Sequence, residues 1–208
     1  MGNFPRILLD YIRQNFLLYV LLSLFFIAGI IMGSIAINMV SDGQLTSIIS
    51  FIDSFFSNVN NITFDASTLF YMSLSNNFKT ALVIVILGIT VVGAPLIFGF
   101  VFFRGFALGF TVGFFIGEMG IKGVVFSLLS ILPQNLIIVP SILSIGVAGI
   151  AFSITIFKNR GKLYPGDYSQ IISSYLIFNS FFCVLLVMSS LIEGYISPIF
   201  IKLFSYYL

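Results

Sequence analysis

Apolar residues run along this chain in long blocks, and the polar positions between them mark out five candidate membrane crossings. Phe16 to Val40 is apolar for 25 residues apart from Ser23, Ser34 and Asn38. That exceeds the ~7–15-residue apolar core of a secretory signal, so 16–40 reads as an uncleaved first span. The interval 41–79 is the only long polar one. Within it Leu45, Ile48, Ile49, Ile52, Phe56 and Val59 recur at helical spacing, with Ser50, Asp53, Ser54 and Ser57 opposite. A second short pattern follows Asp65 and Ser67, through Leu69, Phe70, Met72 and Leu74. Two amphipathic helices lying on the outer membrane surface are therefore expected over 41–79.

Thr80 to Phe103 predicts the second span, 80–103, with Gly93-Ala94-Pro95 kinking its middle. Arg104 is then expected in a tight turn into a third span, 105–120. In that span Gly105, Gly109, Gly113 and Gly117 stand four residues apart, with Phe106, Phe110 and Phe114 beside them. On a helix such glycines form a ridge without side chains, the small-xxx-small pattern that lets another backbone approach closely in lipid. From Gly123 to Phe157 the chain carries no charge for 35 residues, which is too long for one span of ~20. Pro133-Gln134-Asn135 interrupts the run. The expectation is a half-buried segment over 121–135, a break at Leu132–Asn135, and a fourth span at 136–157 with Pro140 in its first turns. The basic cluster Lys158-Asn159-Arg160-Gly161-Lys162 and the turn residues Tyr164-Pro165-Gly166-Asp167 precede a fifth span at 169–192. The tail beyond Glu193 is amphipathic and suits the interface.

Composition agrees with the pattern. The chain is 59% hydrophobic and only 8% charged, against about a quarter charged in soluble domains. The fold class is all-α, a single polytopic integral membrane domain over 1–208, and no nucleic acid partner is implied. Charge then orients the spans. With a cytoplasmic N-terminus the inside holds Arg6, Arg13, Arg104, Lys158, Arg160 and Lys162, and the outside holds Lys79, Lys122 and Lys202. Six against three obeys the positive-inside rule and puts the C-terminus outside.

The candidate chemistry is sparse. There is no His, and the one cysteine, Cys183, lies in a hydrophobic run and reads as an inert core thiol. Cys/His metal sites and His-based acid–base catalysis are thereby excluded within one chain, and no cofactor is expected. No GxSxG, Walker or dinucleotide glycine motif occurs. Glu118 and Glu193 both fall near outer span ends and read as solvated or paired carboxylates. The chain reads as a non-enzyme. A small channel or transporter is the alternative, because Gly93-Ala94-Pro95 and Pro133-Gln134-Asn135 are two breaks of the kind that mark midplane binding sites. A homodimer through the glycine ridge is equally open to this pattern.

The stretch GFALGFTVGFFIGEMGIKGVVFSLLSILPQNLIIVP, from Gly105 to Pro140, resembles the signature region of the stage II sporulation protein M family. Broader relatives carry a Pro-His-Gly-x-x-Glu form of the central element; here Gln134 and Asn135 follow Pro133, which favours the sporulation branch. The apolar opening, with Gly29 and Gly33 in a G-x-x-x-G pair, and the amphipathic outer loop are similar too. The resemblance implies a non-enzymatic scaffold of the engulfment machinery in the mother-cell membrane, working with stage II sporulation proteins D and P, which remodel peptidoglycan. The surface formed by Leu45, Ile48, Ile49, Ile52 and Phe56 is then the candidate partner contact.

Overall fold

The computed structural model describes residues 4–40, 43, 46, 49–50, 66–90, 93–159 and 165–206. In chain order its helices are α1 (Phe4–Gln14), α2 (Phe16–Ala36, ending in a 3₁₀ turn Ile37–Met39), α3 (Ala66–Ile89), α4 (Gly93–Met119) and α5 (Ile121–Phe126). A π-helical stretch, Ser127–Ile131, joins α5 to α6 (Leu132–Lys158); a second, Ile192–Ile196, joins α7 (Pro165–Leu191) to α8 (Ser197–Tyr206). The protein is an all-α polytopic membrane protein. Five helical stretches are long and apolar enough to cross: Phe16–Met39, Ala66–Ile89, Gly93–Met119, Ile121–Lys158 and Tyr168–Leu203.

α6 is the central post. The Ile121–Lys158 crossing, which it completes, is two-thirds buried over its most apolar stretch (67%), against 22–28% in the other four crossings. From Ser144 to Ile150 every residue is buried, and α2, α3, α4 and α7 all pack on it. Leu22, Ile84, Ile97, Ile145, Val147 and Leu186 are fully buried at this centre. Small residues set the approach distances. Gly88 of α3 faces Gly149 of α6 so closely that a Cβ on Gly88 would stand 2.5 Å from the Gly149 Cα.

The most extensive helix contact is between α2 and α4, whose residue pairings rise together along both helices, so that they run parallel. Gly29 and Gly33 lie against the carbonyls of Phe102 and Phe106, while Gly105 and Gly109 lie against those of Phe26 and Ile30. A Cβ at any of these four positions would run into backbone. Gly113 meets Ser34 less tightly, with a Cβ placed 3.0 Å from the Ser34 Cα, and Gly117 faces nothing within 4 Å. Two glycine ridges thus interlock inside one chain. The ridge that left a homodimer open in the sequence is used internally as far as Gly113, so it supplies no argument for a dimer.

Several expected boundaries are corrected. The second span is 66–89 and the third 93–119, in place of 80–103 and 105–120. The chain turns at Thr90, whose side chain donates to the Leu87 carbonyl (2.8 Å) while Gly93 N–H donates to the Thr90 carbonyl (3.0 Å). Gly93-Ala94-Pro95 therefore opens α4 and kinks nothing, because Pro95 sits in a first turn whose N–H groups have no helical acceptor. Arg104 lies mid-helix, not at a turn: a span of 105–120 would have had only 16 residues, too few for a bilayer. The expected break at Leu132–Asn135 is also absent. The chain stays helical from Ile121 to Lys158, Pro133 takes an opening position of α6, and the irregularity moves upstream into the π-helical Ser127–Ile131. Pro140 is interior to α6, eight residues beyond its start, where it withholds a helical N–H. The fourth crossing accordingly begins before 136. The fifth runs on past 192 through the second π-helical turn, and α8 packs against α5 and Ser127–Ile131.

Gly120 closes α4 with a φ of 56°, a conformation that glycine adopts without strain, and the chain reverses there directly into α5. Leu45, Ile48, Ile52 and Phe56 lie outside the described residues; Ile49 is helical and half-buried. The second amphipathic helix expected after Asp65 is instead the first turns of α3.

Candidate functional site

The corrected register carries polar side chains into the layer between the spans. Ser73 and Asn77, one helical turn apart, share the buried face of α3 with Ala81, Ile84 and Gly88. α4 supplies Arg104. Ser190 ends α7, and the π-helical turn that follows swings Glu193 back toward α3, where Gly194 packs on Phe70. α6 and α8 contribute Gln134 and Ser197.

Ser73, Asn77, Arg104, Ser190 and Glu193 form one hydrogen-bonded chain. Arg104 Nη2 donates to Asn77 Oδ1 (3.3 Å). Asn77 Nδ2 donates to Ser190 Oγ (3.1 Å) and to Ser73 Oγ (3.3 Å), and Ser73 Oγ donates to Glu193 Oε2 (2.6 Å). Ser190 in turn donates to the Leu186 carbonyl (2.9 Å). Beside this chain Ser197 Oγ donates to Gln134 Oε1 (2.7 Å), tying α8 to the start of α6. Asn77 and Ser190 are buried outright, at 2% and 0% exposed, so both must have partners. The 2.6 Å bond from Ser73 to Glu193 is the shortest in this chain of bonds. Arg104 and Glu193 stand at the two ends of this relay.

Depth follows from the α2–α4 register. Gly105 abuts the Phe26 carbonyl and Gly29 abuts the Phe102 carbonyl, so Arg104 is level with the middle of the Phe16–Met39 crossing. An ionisable group at that depth is a functional candidate by default. Arg104 is half-buried and lines two small clefts, of about 190 Å³ with Thr111, Ile131 and Asn135, and of about 260 Å³ with Thr80, Phe100 and Phe103. A larger apolar cleft of about 460 Å³ continues from the first, sharing Leu108, Ile131 and Asn135 and reaching Pro140. The signature element is thus divided. Gln134 is buried and bonded, Asn135 faces the clefts while donating to the Ile131 carbonyl (2.8 Å), and Pro140 lines the apolar end. Chemically the network can hold opposite charges in the membrane and lock four crossings in register.

The family model described as stage II sporulation protein M matches residues 22–198. The chain belongs to the stage II sporulation protein M family. No curated protein and no solved structure was found to match it. Membership makes it a membrane protein of sporulation, and the matched stretch includes every member of the network, from Ser73 to Ser197. In this protein M family member the glycine and signature positions named from the sequence lie around the network without belonging to it, apart from Gln134 beside it.

Sequence reasoning missed Ser73, Asn77, Arg104 and Ser190. The spacing of Ser73, Asn77, Ala81, Ile84 and Gly88 is a helical face that carries on across the boundary drawn at 79. The polar run Asn76-Asn77-Phe78-Lys79-Thr80 hid it. Glu118 is exposed, while Glu193 is half-buried and paired through Ser73. Cys183 is a half-buried free thiol on α7. Among the described residues no group of His, Cys, Asp or Glu is placed to hold a metal.

Proposed function

We propose that this protein is a non-enzymatic membrane scaffold of the sporulation engulfment machinery, holding peptidoglycan-degrading partners at the septal and engulfing mother-cell membrane. The observation that carries the reading is the family match over 22–198. The interior supports it: interlocked glycine ridges and a bonded polar network make a rigid body suited to presenting fixed surfaces. By the family resemblance the partners are stage II sporulation proteins D and P, and the apolar face read from the sequence at Leu45, Ile48, Ile49, Ile52 and Phe56 is the candidate surface for them. The orientation is N-terminus in, C-terminus out. With Lys79 and Arg104 withdrawn into crossings, Arg6, Arg13, Lys158, Arg160 and Lys162 remain inside against Lys122 and Lys202 outside, five to two.

The test is a mild-detergent pulldown of tagged protein from sporulating cells, comparing wild type with a replacement of residues 44–59. Loss of proteins D and P in the replacement alone, at equal membrane level, places the contact on the outer loop. Retention moves it to the membrane body or tail. Absence of both partners even from wild type refutes the scaffold. The clefts at Arg104 and Asn135 favour a second reading, a small channel or transporter component, because a cation there faces open volume at mid-depth.

A further inference from the structure

α3 carries one charge, Lys79, and the network does not use it. Lys79 is exposed, on the side of the helix away from Ser73 and Asn77. Its neighbour Thr80 shares a cleft with Phe100, Phe103 and Arg104 of α4. Phe102, between these, abuts Gly29 near the middle of the Phe16–Met39 crossing. Lys79 therefore stands near mid-depth, roughly 15–20 Å of helix from the ends of that crossing at ~1.5 Å per residue. A lysine side chain reaches about 6 Å by snorkelling, which leaves its ammonium short of either boundary.

Charge accounting makes this position incomplete. Among the described residues the charges away from the ends of the crossings are Lys79, Arg104 and Glu193, whereas Glu118, Lys122, Lys158 and Lys202 stand within two residues of an end. Glu193 is engaged through Ser73, in the hydrogen-bonded chain whose other end is Arg104. No hydrogen bond or ion pair joins Lys79 to any described residue. The exposed carboxylate of α4, Glu118, lies fourteen residues beyond Arg104, roughly 20 Å further along the helix at ~1.5 Å per residue. A second copy offering Glu118 would miss Lys79 in depth by that amount. Around Lys79, Asn76 is exposed one turn away, and Phe78, Leu82 and Phe103 are exposed apolar flanks at 45%, 51% and 68%, area that a neighbouring helix would cover. Unpaired charge in hydrocarbon is expensive, and paired charge is the form in which it persists.

We propose that Lys79, with Asn76 and Thr80, docks a transmembrane helix of a partner membrane protein that carries an Asp or Glu near the middle of its span. This rests on the scaffold reading and adds to it a contact within the bilayer, separate from the outer loop. The test places a photo-crosslinking residue at Val83, one turn from Lys79 on the same face, in full-length protein in sporulating cells, with a control at the exposed Ile177 of α7. Ultraviolet adducts are identified by peptide mass spectrometry. The expected adduct at 83, absent at 177, is a transmembrane peptide containing a central acidic residue. It falls at least tenfold in Lys79→Met, persists in Lys79→Arg, and returns when Lys79→Glu is combined with a basic residue at the partner's acid. Adducts to lipid alone or to a second copy overturn the proposal, as does an adduct that Lys79→Met leaves unchanged. Membrane levels of each variant check folding, which an exposed side chain should not affect. Co-purification of proteins D and P from the same cells separates the two failures. Partners present with only lipid at 83 refute the intramembrane contact alone; partners absent with an acidic helix at 83 refute the engulfment scaffold alone.

Discussion

The interlocked ridges of α2 and α4 predict a graded response to one repeated change, glycine to alanine, along a single helix. At Gly109 the new Cβ would meet the Ile30 carbonyl and stand 2.7 Å from the Ile30 Cα, whereas ordinary contact begins near 3.4 Å. The backbones must separate by at least 3.4 − 2.7 = 0.7 Å, and neither can yield by turning a rotamer. At Gly113 the nearest atom is the Ser34 Cα at 3.0 Å, so a shift of 0.4 Å suffices. At Gly117 nothing lies within 4 Å, and no shift is needed. Overpacking of this kind costs about 1–3 kcal/mol, while alanine gains ~0.8–1 kcal/mol over glycine in helix propensity. Gly109→Ala should therefore lose about 2 kcal/mol net, Gly113→Ala should be near neutral, and Gly117→Ala should be neutral or gain up to ~1 kcal/mol. The assay is reversible unfolding of purified protein in mixed micelles by rising SDS fraction, read by tryptophan-free far-UV circular dichroism. A flat response across the three positions refutes the packing argument. Greater harm at Gly117 than at Gly109 shows that the ridge works between chains.

Other predictions follow from the polar layer and its clefts. Asn77→Ala removes the acceptor of Arg104 and the donor to Ser73 and Ser190 at a buried site, and should cost ~2–4 kcal/mol at about 1–3 kcal/mol for each buried group left unmatched. The same SDS titration reads it, and a loss below ~0.5 kcal/mol means that the network carries no stability. In a Cys183→Ser background, Asn135→Cys should react with a membrane-impermeant maleimide if its cleft admits water, while Gln134→Cys, buried beside Ser197, should stay unlabelled. Equal silence at both positions removes the channel reading. Glu193→Gln keeps the hydrogen bond from Ser73 while removing the charge, so it should cost less than Glu193→Ala, and equal losses would mean that the carboxylate's bond is unimportant.

What could be read from the sequence was what depends on local period and composition. Five crossings, the first one's extent and the glycine ridge follow from run lengths and four-residue spacing, which survive any choice of tertiary partner. The second and third crossings were displaced because their ends were drawn at charges. Lys79 and Arg104 looked like loop residues, and a membrane interior is where charge is least expected; yet Thr90 and Gly93-Ala94-Pro95, whose turn and first-turn chemistry are local, held the true boundary. Arg104 could not be assigned to mid-depth without the position of α2, since its level is fixed by the carbonyls of Phe26 and Phe102 pressing on glycines across the contact. Asn77 likewise had a visible helical face but no visible acceptor, because Ser190 and Arg104 arrive from 113 and 27 residues away. The π-helical turns were illegible for the same reason. Nothing in Ser127–Ile131 or Ile192–Ile196 demands an extra residue per turn; the second turn brings Glu193 toward Ser73 and Ser197 toward Gln134, contacts that exist only once the crossings have assembled. Of the two charges that obscured the boundaries, Arg104 ties the assembled helices together, and Lys79 is the one whose counterpart this chain does not provide among its described residues.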